Sequence, residues 1–198
     1  NREKARALLA SRKAPRATTD DELKALIWKI VGIKVPDTQV CEHHTTPFRA
    51  LADAYFAKSP VSVWKASRGF GGKSVLLATL AYVEACSLGA WVSLLGGSGE
   101  QSARVHESLT GDHAVMPGKF WGSPGAPVDL LDGDMTAKKT TLNNGGAISV
   151  LMASSKSVRG PHPQRLRLDE ADEVDLSILD SALGQPMSAR GIQDQTVL

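Results

Sequence analysis

A glycine-rich stretch of the chain carries the residue types of a phosphate-binding loop. Residues 67–74 have the sequence SRGFGGKS, which fits the pattern G-x-x-x-x-G-K-[ST] except that Ser67 replaces the first glycine. Glycines let successive backbone N–H groups converge on phosphate oxygens at a helix N-terminus. Lys73 would neutralise charge on the β- and γ-phosphates, and Ser74 would hold Mg²⁺. The predicted nucleotide-binding residues are Ser67, Arg68, Gly69, Phe70, Gly71, Gly72, Lys73 and Ser74.

Two adjacent acids could complete such a site. The segment RLRLDEAD places Asp169 at the end of a predicted strand, where its carboxylate can hold the water shell of Mg²⁺ beside the loop. Glu170 can orient and deprotonate an attacking water. Asp169 follows Lys73 by 96 residues, which leaves room for at least one strand between the two motifs. The pattern favours a nucleotide hydrolase that uses water over a small-molecule kinase.

Each motif also has a purely structural interpretation. Residues 67–74 could be a glycine-rich turn between a strand and a helix, and DEADEVD could be an acidic, solvated turn after a strand. The two motifs together favour a site, because a preceding strand and a following helix are the context that a phosphate-binding loop requires.

The elements that would position these residues alternate between strand and helix from residue 60 onward. Predicted strands are PVSVWKA, AWVSLL, AISVLMAS, QRLRLD and QTVL, and a β-hairpin joins AKKTTL to AISVLMAS through the turn NNGG. Predicted helices are KSVLLATLAYVEACSL, which ends at Gly89, a helix capped by Ser98 and Gln101 that stops at Gly111, and LSILDSAL. Residues 112–135 are predicted to form a long loop. This alternation predicts an α/β fold with a parallel sheet covered by helices.

A basic segment and two helices precede this alternation. Thr19 and Glu22 form a capping box before LKALIWKIVGI, and Thr46 with Pro47 begins a helix that carries FRALADAYFA. Residues 1–18 contain six Lys or Arg residues and one Glu. They are predicted to form either a solvated arm or an arm that contacts DNA or a partner.

Composition limits the classes of function. The chain has 198 residues with 23 Lys and Arg against 21 Asp and Glu, so a nucleic-acid surface must be a local patch. Two cysteines cannot form a disulfide framework, and Cys86 lies in an apolar helical stretch that predicts a buried thiol. Cys41, His43 and His44 do not have the spacing of a standard zinc site. No apolar stretch approaches the ~20 residues of a membrane span, so we expect a soluble, intracellular protein.

Five segments together resemble the large terminase subunit of tailed bacteriophages, the motor that packages DNA into capsids. In order they are TPFRALADAYFA, ASRGFGGKS, AWVSLLGGSGEQSARVHE, SVRGPHPQRLRLDEADEVD and GIQDQTVL, and they cover nearly the whole chain from about Thr46. The family varies the first loop position, so Ser67 fits it. The resemblance implies a P-loop NTPase fold of the RecA-like (ASCE) type, with a mostly parallel sheet flanked by helices and preceded by N-terminal helices. It implies a helical lead-in over residues 1–44 and an ATPase domain over residues 45–198.

The resemblance also implies a role for particular residues. Lys73 and Ser74 would bind triphosphate and Mg²⁺, Asp169 would hold the metal, and Glu170 would be the catalytic carboxylate. Arg159 resembles an arginine finger that acts on a neighbouring subunit. It lies in SSKSVRGPHP, whose glycine and prolines predict a rigid surface loop.

Cofactors and partners follow from the same resemblance. The cofactors would be ATP and Mg²⁺, and the partners double-stranded DNA, further copies of the chain in a ring, the phage portal protein and the small terminase subunit, in the host cytoplasm. The chain begins at Asn1 and ends in QTVL, so we expect a fragment without the coupling motif and the nuclease domain. Arg49 departs from the family, which often carries Gln in the segment that contacts adenine.

Two other functions remain open from the sequence. One is a DEAD-box-type helicase, because Asp169–Asp172 have the sequence DEAD; however, Gly69 and Phe70 stand where that loop usually has Thr and Gly. The other is a non-catalytic P-loop scaffold, against which the intact loop lysine and acidic pair argue.

Overall fold

The computed structural model describes residues 16–66, 72–110, 120–160 and 162–198. Its helices are α1 (Asp20–Val31), α2 (Pro47–Tyr55), α3 (Lys73–Val83), α4 (Gly99–Thr110), α5 (Ser155–Val158) and α6 (Leu176–Leu183). Its strands are β1 (Val61–Ser62), β2 (Trp91–Gly96), β3 (Lys139–Thr141), β4 (Ala147–Val150), β5 (Arg165–Asp169) and β6 (Gln195–Val197). A π-helical turn, Glu84–Leu88, extends α3, and 3₁₀ turns lie at Phe120–Gly122, Val128–Leu130 and Ala171–Glu173.

These strands form one sheet in the order β1-β6-β5-β2-β4-β3. Each neighbouring pair is parallel except β3 and β4, which are the two strands of the predicted hairpin. Helices α1 to α4 contribute to the hydrophobic core on one face of the sheet, and α5 and α6 contribute to a smaller core on the other. The predicted α/β fold, a mostly parallel sheet flanked by helices, is confirmed.

Strand β5 separates these two cores by the alternation of its side chains. Leu166 and Leu168 belong to the smaller core with α5 and α6. The alternate residues, Arg165, Arg167 and Asp169, bond to α2, to the π-helical turn and to α3. The strand therefore presents a polar face to the helices, and that face ends in Asp169.

Side-chain caps fix where the first two helices begin. Thr19 Oγ1 accepts a hydrogen bond from the Glu22 amide at 3.3 Å, and Glu22 Oε2 accepts one from the Thr19 amide at 3.2 Å. Thr46 Oγ1 accepts from the Arg49 amide at 3.0 Å, with Pro47 in the first turn. Because each cap contributes about 1 kcal/mol, local sequence suffices to begin both helices where they were predicted.

Helix α3 ends in a π-helical turn that the hairpin turn NNGG supports. Gly89, with a φ of 69°, ends the turn, as predicted. Asn144 Nδ2 donates to the carbonyl oxygens of Ala85 at 3.0 Å and Cys86 at 2.8 Å, which satisfies acceptors at the helix end. A Cβ on Gly146 would lie 2.5 Å from the Ala85 carbonyl oxygen, so this approach requires glycine.

Two predicted segments differ from the structure. PVSVWKA contains a regular strand only at Val61–Ser62, although the Trp64 amide still donates to the Leu198 carbonyl at 2.7 Å. β1 is an edge strand whose sole partner in the sheet is the short β6, so few of its residues meet a regular ladder. The predicted surface loop SSKSVRGPHP begins as helix α5, because the Ser154 side chain caps it, and Arg159 follows the helix.

The described part of the predicted long loop, residues 120–135, contains two 3₁₀ turns. The first is anchored on α3, where the centre of the Tyr82 ring lies 5.6 Å from that of Phe120 and 4.8 Å from that of Trp121.

Cys86 is completely buried, as predicted, and burial raises the pKa of its thiol. No helix among the described residues is long and apolar enough to cross a membrane.

Some predictions lie outside the described residues. They are the phosphate-loop residues Ser67, Arg68, Gly69, Phe70 and Gly71, the helix end at Gly111, the basic segment as far as residue 15, and residues 112–119.

Candidate functional site

The two predicted motifs meet at the carboxyl edge of the sheet. β1, β6 and β5 run parallel, so the chain leaves all three at the same edge. Helix α3 begins there, with Gly72 as its N-cap and Lys73 and Ser74 as its first residues. β5 ends there with Asp169, which Glu170 follows. The helix end and the strand end are those that the sequence assigned to phosphate binding and to catalysis.

Ser74 and Asp169 are in direct contact although 95 residues separate them in sequence. Ser74 Oγ donates a hydrogen bond to Asp169 Oδ2 at 2.5 Å. This length is at the short end of the range for hydrogen bonds between oxygen atoms. The contact places the head of α3 against the end of β5.

Glu170 turns the chain away from β5 in a conformation that disfavours non-glycine residues. Its φ of 54° and ψ of 52° lie in the left-handed region, which costs about 1 kcal/mol for a residue with a Cβ. Such backbone strain concentrates at functional sites, where the surrounding structure holds it. Glu170 is half-buried and lines the cavity described next.

A cavity of about 880 Å³ lies at this edge of the sheet. Gly72, Lys73 and Ser74 line it from α3, and Asp169 and Glu170 line it from β5 and its end. The other described lining residues, apart from Lys65 and Asp172, are apolar, as in most ligand sites. Its volume is that of a site for a small molecule such as a nucleotide.

The donor set at the cavity fits Mg²⁺. The Ser74 hydroxyl and the Asp169 carboxylate are hard oxygen donors, which Mg²⁺ prefers, and it usually takes waters and substrate phosphates as its other ligands. Among the described residues no group of three or more His, Cys, Asp or Glu could hold a metal. The hydroxyl of Ser74 and the carboxylate of Asp169 supply only two protein ligands. They could therefore hold the ion together with the oxygens of a bound phosphate and water.

Arg159 does not line this cavity. It is exposed and follows the last residue of α5 on the face of the sheet opposite α3. The predicted catalytic set is therefore brought together in part: Lys73 and Glu170 share the cavity, and Arg159 lies outside its described lining.

Arg49 is held by two carboxylates, Asp20 on α1 and Asp53 on α2. Its Nη1 donates to Asp20 Oδ2 at 2.6 Å, and its Nε to Asp53 Oδ1 at 2.9 Å. The Arg49 guanidinium lowers the pKa of the Asp20 carboxyl below its ordinary value. The bond to Asp20 ties α1 to α2, whereas the bond to Asp53 lies within α2. Arg49 is not among the described residues that line the cavity.

The sequence motifs missed several residues that line the cavity. Val63, Trp64 and Lys65 follow β1 at its carboxyl end, and Leu176 begins α6. The positions after β1 could have been found from topology, because residues that follow parallel strands gather at one edge of a sheet. Val63 is 73% and Leu176 80% exposed, so the cavity has an apolar rim that faces solvent.

Comparison with known proteins does not place the chain in a family, so any functional assignment depends on the residues of the cavity. No protein-family model matches the chain, and no curated protein is significantly similar to it in sequence.

Proposed function

We propose that this chain is the ATP-hydrolysing domain of a bacteriophage terminase large subunit, which drives double-stranded DNA into the procapsid. One observation carries the proposal. The Ser74 hydroxyl, at the head of α3, lies 2.5 Å from the carboxylate of Asp169, at the end of β5. A helix that begins with Lys-Ser and a strand that ends in Asp, with Glu directly after it, are the arrangement that a nucleotide-hydrolysing site requires.

Nucleotide binding uses the residues at the head of α3. Lys73 lines the cavity and supplies positive charge for the β- and γ-phosphates. The backbone N–H groups of the first helical turn point out of the helix and favour negative charge. Ser74 and Asp169 hold Mg²⁺, which when bound neutralises charge on the phosphates.

Hydrolysis uses the acid that follows the metal-binding carboxylate. Glu170 lines the same cavity, held in its left-handed backbone conformation. It accepts a proton from the attacking water and orients that water toward the terminal phosphate. Positioning and charge stabilisation supply most of the catalysis of phosphoryl transfer, so a rigid strand end suits this residue.

The strand order also supports a P-loop NTPase of the ASCE type. β6 lies between β1, which precedes the phosphate loop, and β5, which ends in the acids. The order of the five segments along the chain then favours terminases within the class.

Partners follow from the proposed function. Double-stranded DNA is the substrate that is moved, and further copies of the chain form a ring on the portal protein, with the small terminase subunit as an additional partner, in the host cytoplasm. Arg159, which lies outside the described cavity lining, would reach the site of a neighbouring copy.

A pair of assays tests the proposal against a helicase of DEAD-box type. We expect the full-length protein to hydrolyse ATP, to package double-stranded DNA into procapsids that carry a portal, and to leave a forked DNA or RNA duplex unseparated. Strand separation without packaging would favour the helicase, whose name-giving sequence lies at Asp169–Asp172. Absence of ATP hydrolysis in the presence of DNA and procapsids would favour a non-catalytic scaffold.

A further inference from the structure

A buried cluster of charged side chains lies between β5 and the helices on one face of the sheet. Arg167 and Glu84 have no exposed surface, and Arg165 is 3% exposed. Burying charged groups costs free energy that apolar side chains of similar size would not cost. Val92 and Leu94, which pair with these arginines on β2, are apolar, so an apolar core could occupy this place. The charged side chains therefore indicate that specific contacts, and not only burial, are required at this place.

Arg167 joins three elements through one guanidinium group. Its Nε donates to Glu84 Oε2 at 3.0 Å, and its Nη2 donates to Glu84 Oε1. Its Nη1 donates to the backbone oxygen of Gln195 at 3.0 Å and to the side-chain oxygen of the same residue at 2.6 Å. Glu84 begins the π-helical turn after α3, and Gln195 begins β6. One side chain of β5 thus holds both the helix and the neighbouring strand.

Arg165 extends the same cluster to α2. Its Nη1 and Nη2 donate to the carbonyl oxygens of Ala54 and Tyr55, at 3.3 and 3.2 Å, in the last turn of that helix. Its Nε lies 3.3 Å from Glu84 Oε1. Glu84 is therefore the shared acid of two buried arginines, and its loss would leave both without a counter-charge.

Helix α3 is attached to β5 at two points. The first is the bond from Ser74 to Asp169, and the second is the pair of Glu84 with Arg167. The two points are ten residues apart on a helix, about 15 Å, and two residues apart on the strand, about 7 Å. Two separated attachments oppose both sliding and rotation of the helix on the strand.

We propose that Glu84 and Arg167 are positioning residues that hold α3 in the register that keeps Ser74 beside Asp169. The π-helical turn begins at Glu84, and such turns in α-helices are frequent at functional sites. The effect on turnover rests on the proposed ATPase function, whereas the effect on the helix does not. Neither residue lines the cavity, so each acts through Ser74 and Asp169.

The test replaces the pair as a unit. A single change leaves a buried charge without its partner and destabilises the fold, whereas replacing both partners by apolar groups is often neutral. The double variant Glu84→Leu with Arg167→Met is therefore made in an Arg165→Met background, because Glu84 is also the counter-charge of Arg165. It is compared with the unaltered protein and with Arg165→Met alone, after circular dichroism has established that these variants fold. Tyr55→Phe is the matched control, because it removes a buried side-chain hydrogen bond, 2.9 Å to Ser87, and keeps all three charges and the Tyr55 carbonyl that Arg165 contacts.

We expect the double variant to change the Mg²⁺ dependence of ATP hydrolysis and to leave ATP affinity nearly unchanged. The kcat for ATP hydrolysis should fall about 10- to 100-fold, because small displacements at a reacting site have effects of that size. The Mg²⁺ concentration for half-maximal activity should rise several-fold, while ATP affinity measured in EDTA changes less than about twofold. The Leu76 amide, which donates to Gly72 at 2.9 Å in the first turn of α3, should exchange its hydrogen faster. Tyr55→Phe should change none of these.

A folded double variant with unchanged kcat, Mg²⁺ dependence and Leu76 exchange would overturn the inference. If the double variant does not fold, Glu84→Gln takes its place, because it keeps the shape and one acceptor; unchanged Mg²⁺ dependence and exchange there would overturn the inference equally. If the unaltered protein neither binds nor hydrolyses ATP, the proposed function fails. Leu76 exchange, which needs no nucleotide, then decides the positioning inference alone.

Discussion

Glu170 is the residue on which the proposed chemical step depends. Changing Glu170→Gln keeps the size of the side chain and removes the group that accepts the proton. We expect ATP hydrolysis to fall by ~10² to 10⁴, the usual contribution of a general base, while ATP still binds. The rate is measured in a steady-state phosphate-release assay, and binding is measured by calorimetry.

The matched control for this change is Glu173→Gln. Glu173 lies three residues further along the same acidic segment, is exposed, and is not among the described residues that line the cavity. Its change should leave both rate and affinity as they are. If Glu170→Gln abolished binding instead of hydrolysis, the residue would be a metal ligand or a structural group.

For single residues, the sequence predicted the contacts at the ends of helices and strands better than the contacts inside them. Ser74 and Asp169 follow from motifs whose place beside a strand and a helix fixes the edge of the sheet where they lie. The Glu84–Arg167 pair was not predicted, because RLRLD alternates as a strand with one solvated face does. Both faces are in fact buried, and only the tertiary structure shows what the arginines contact.

A buried histidine joins α4 to the hairpin and makes stability depend on pH. His106 is completely buried, its Nε2 lies 3.2 Å from Thr140 Oγ1 on β3, and burial lowers the pKa of its imidazole to about 4. The unfolded chain binds a proton near pH 6.5 and the folded chain does not. The free energy of unfolding should therefore decrease as pH falls from about 6.5 toward 4, by at most about 3 kcal/mol from this group.

Urea unfolding at several pH values measures this dependence. His106→Gln should remove the histidine contribution between pH 7 and 4.5, so that its stability falls less steeply than that of the unaltered protein. His162→Gln is the control, because it makes the same change at an exposed position. Equal slopes for the unaltered protein and His106→Gln would contradict the assignment.

Elements were predicted where their signals are local. The capping box at Thr19 and the threonine–proline start at Thr46 fix helices through contacts within four residues. The length of β1 and the π-helical turn were not predicted, since each depends on contacts from elsewhere. β1 extends only where β6 pairs with it, and Asn144, from the hairpin, satisfies the carbonyls of the π-helical turn. Helix α5 was not predicted either, although its cap, Ser154, is local.

For the whole molecule, the proposed function predicts that Arg159 acts on a neighbouring copy of the chain. It is exposed beyond α5 and does not line the cavity of its own chain among the described residues. A well-placed arginine contributes ~10³ to 10⁵ in rate to phosphoryl transfer, so a ring would place Arg159 at the site of its neighbour. We expect inactive Arg159→Ala and inactive Glu170→Gln proteins to recover part of the ATPase activity when they are mixed under assembly conditions.

The recovery has a direct control. Glu170→Gln mixed with a chain that carries both changes contains no site with an intact glutamate, so it should stay inactive. If no mixing ratio restores activity although rings form, Arg159 acts within its own subunit or only holds the fold.

The strand order was the least predictable property of the whole molecule. The sequence predicted a parallel sheet and a final strand QTVL, and the structure places that strand, β6, between β1 and β5. Strand pairing over more than 130 residues is set by the packing of helices and loops between the strands, which no local pattern encodes.

The affinity of the protein for Mg²⁺·ATP tests the central claim, that α3 and β5 form a nucleotide site. Calorimetric titration compares the unaltered protein with Lys73→Ala, which removes the cation at the phosphates, and with Lys138→Ala, which removes an equal charge from an exposed position away from the cavity. We expect Lys73→Ala to abolish binding and Lys138→Ala to preserve it. Equal affinity of the unaltered protein and Lys73→Ala would contradict the account.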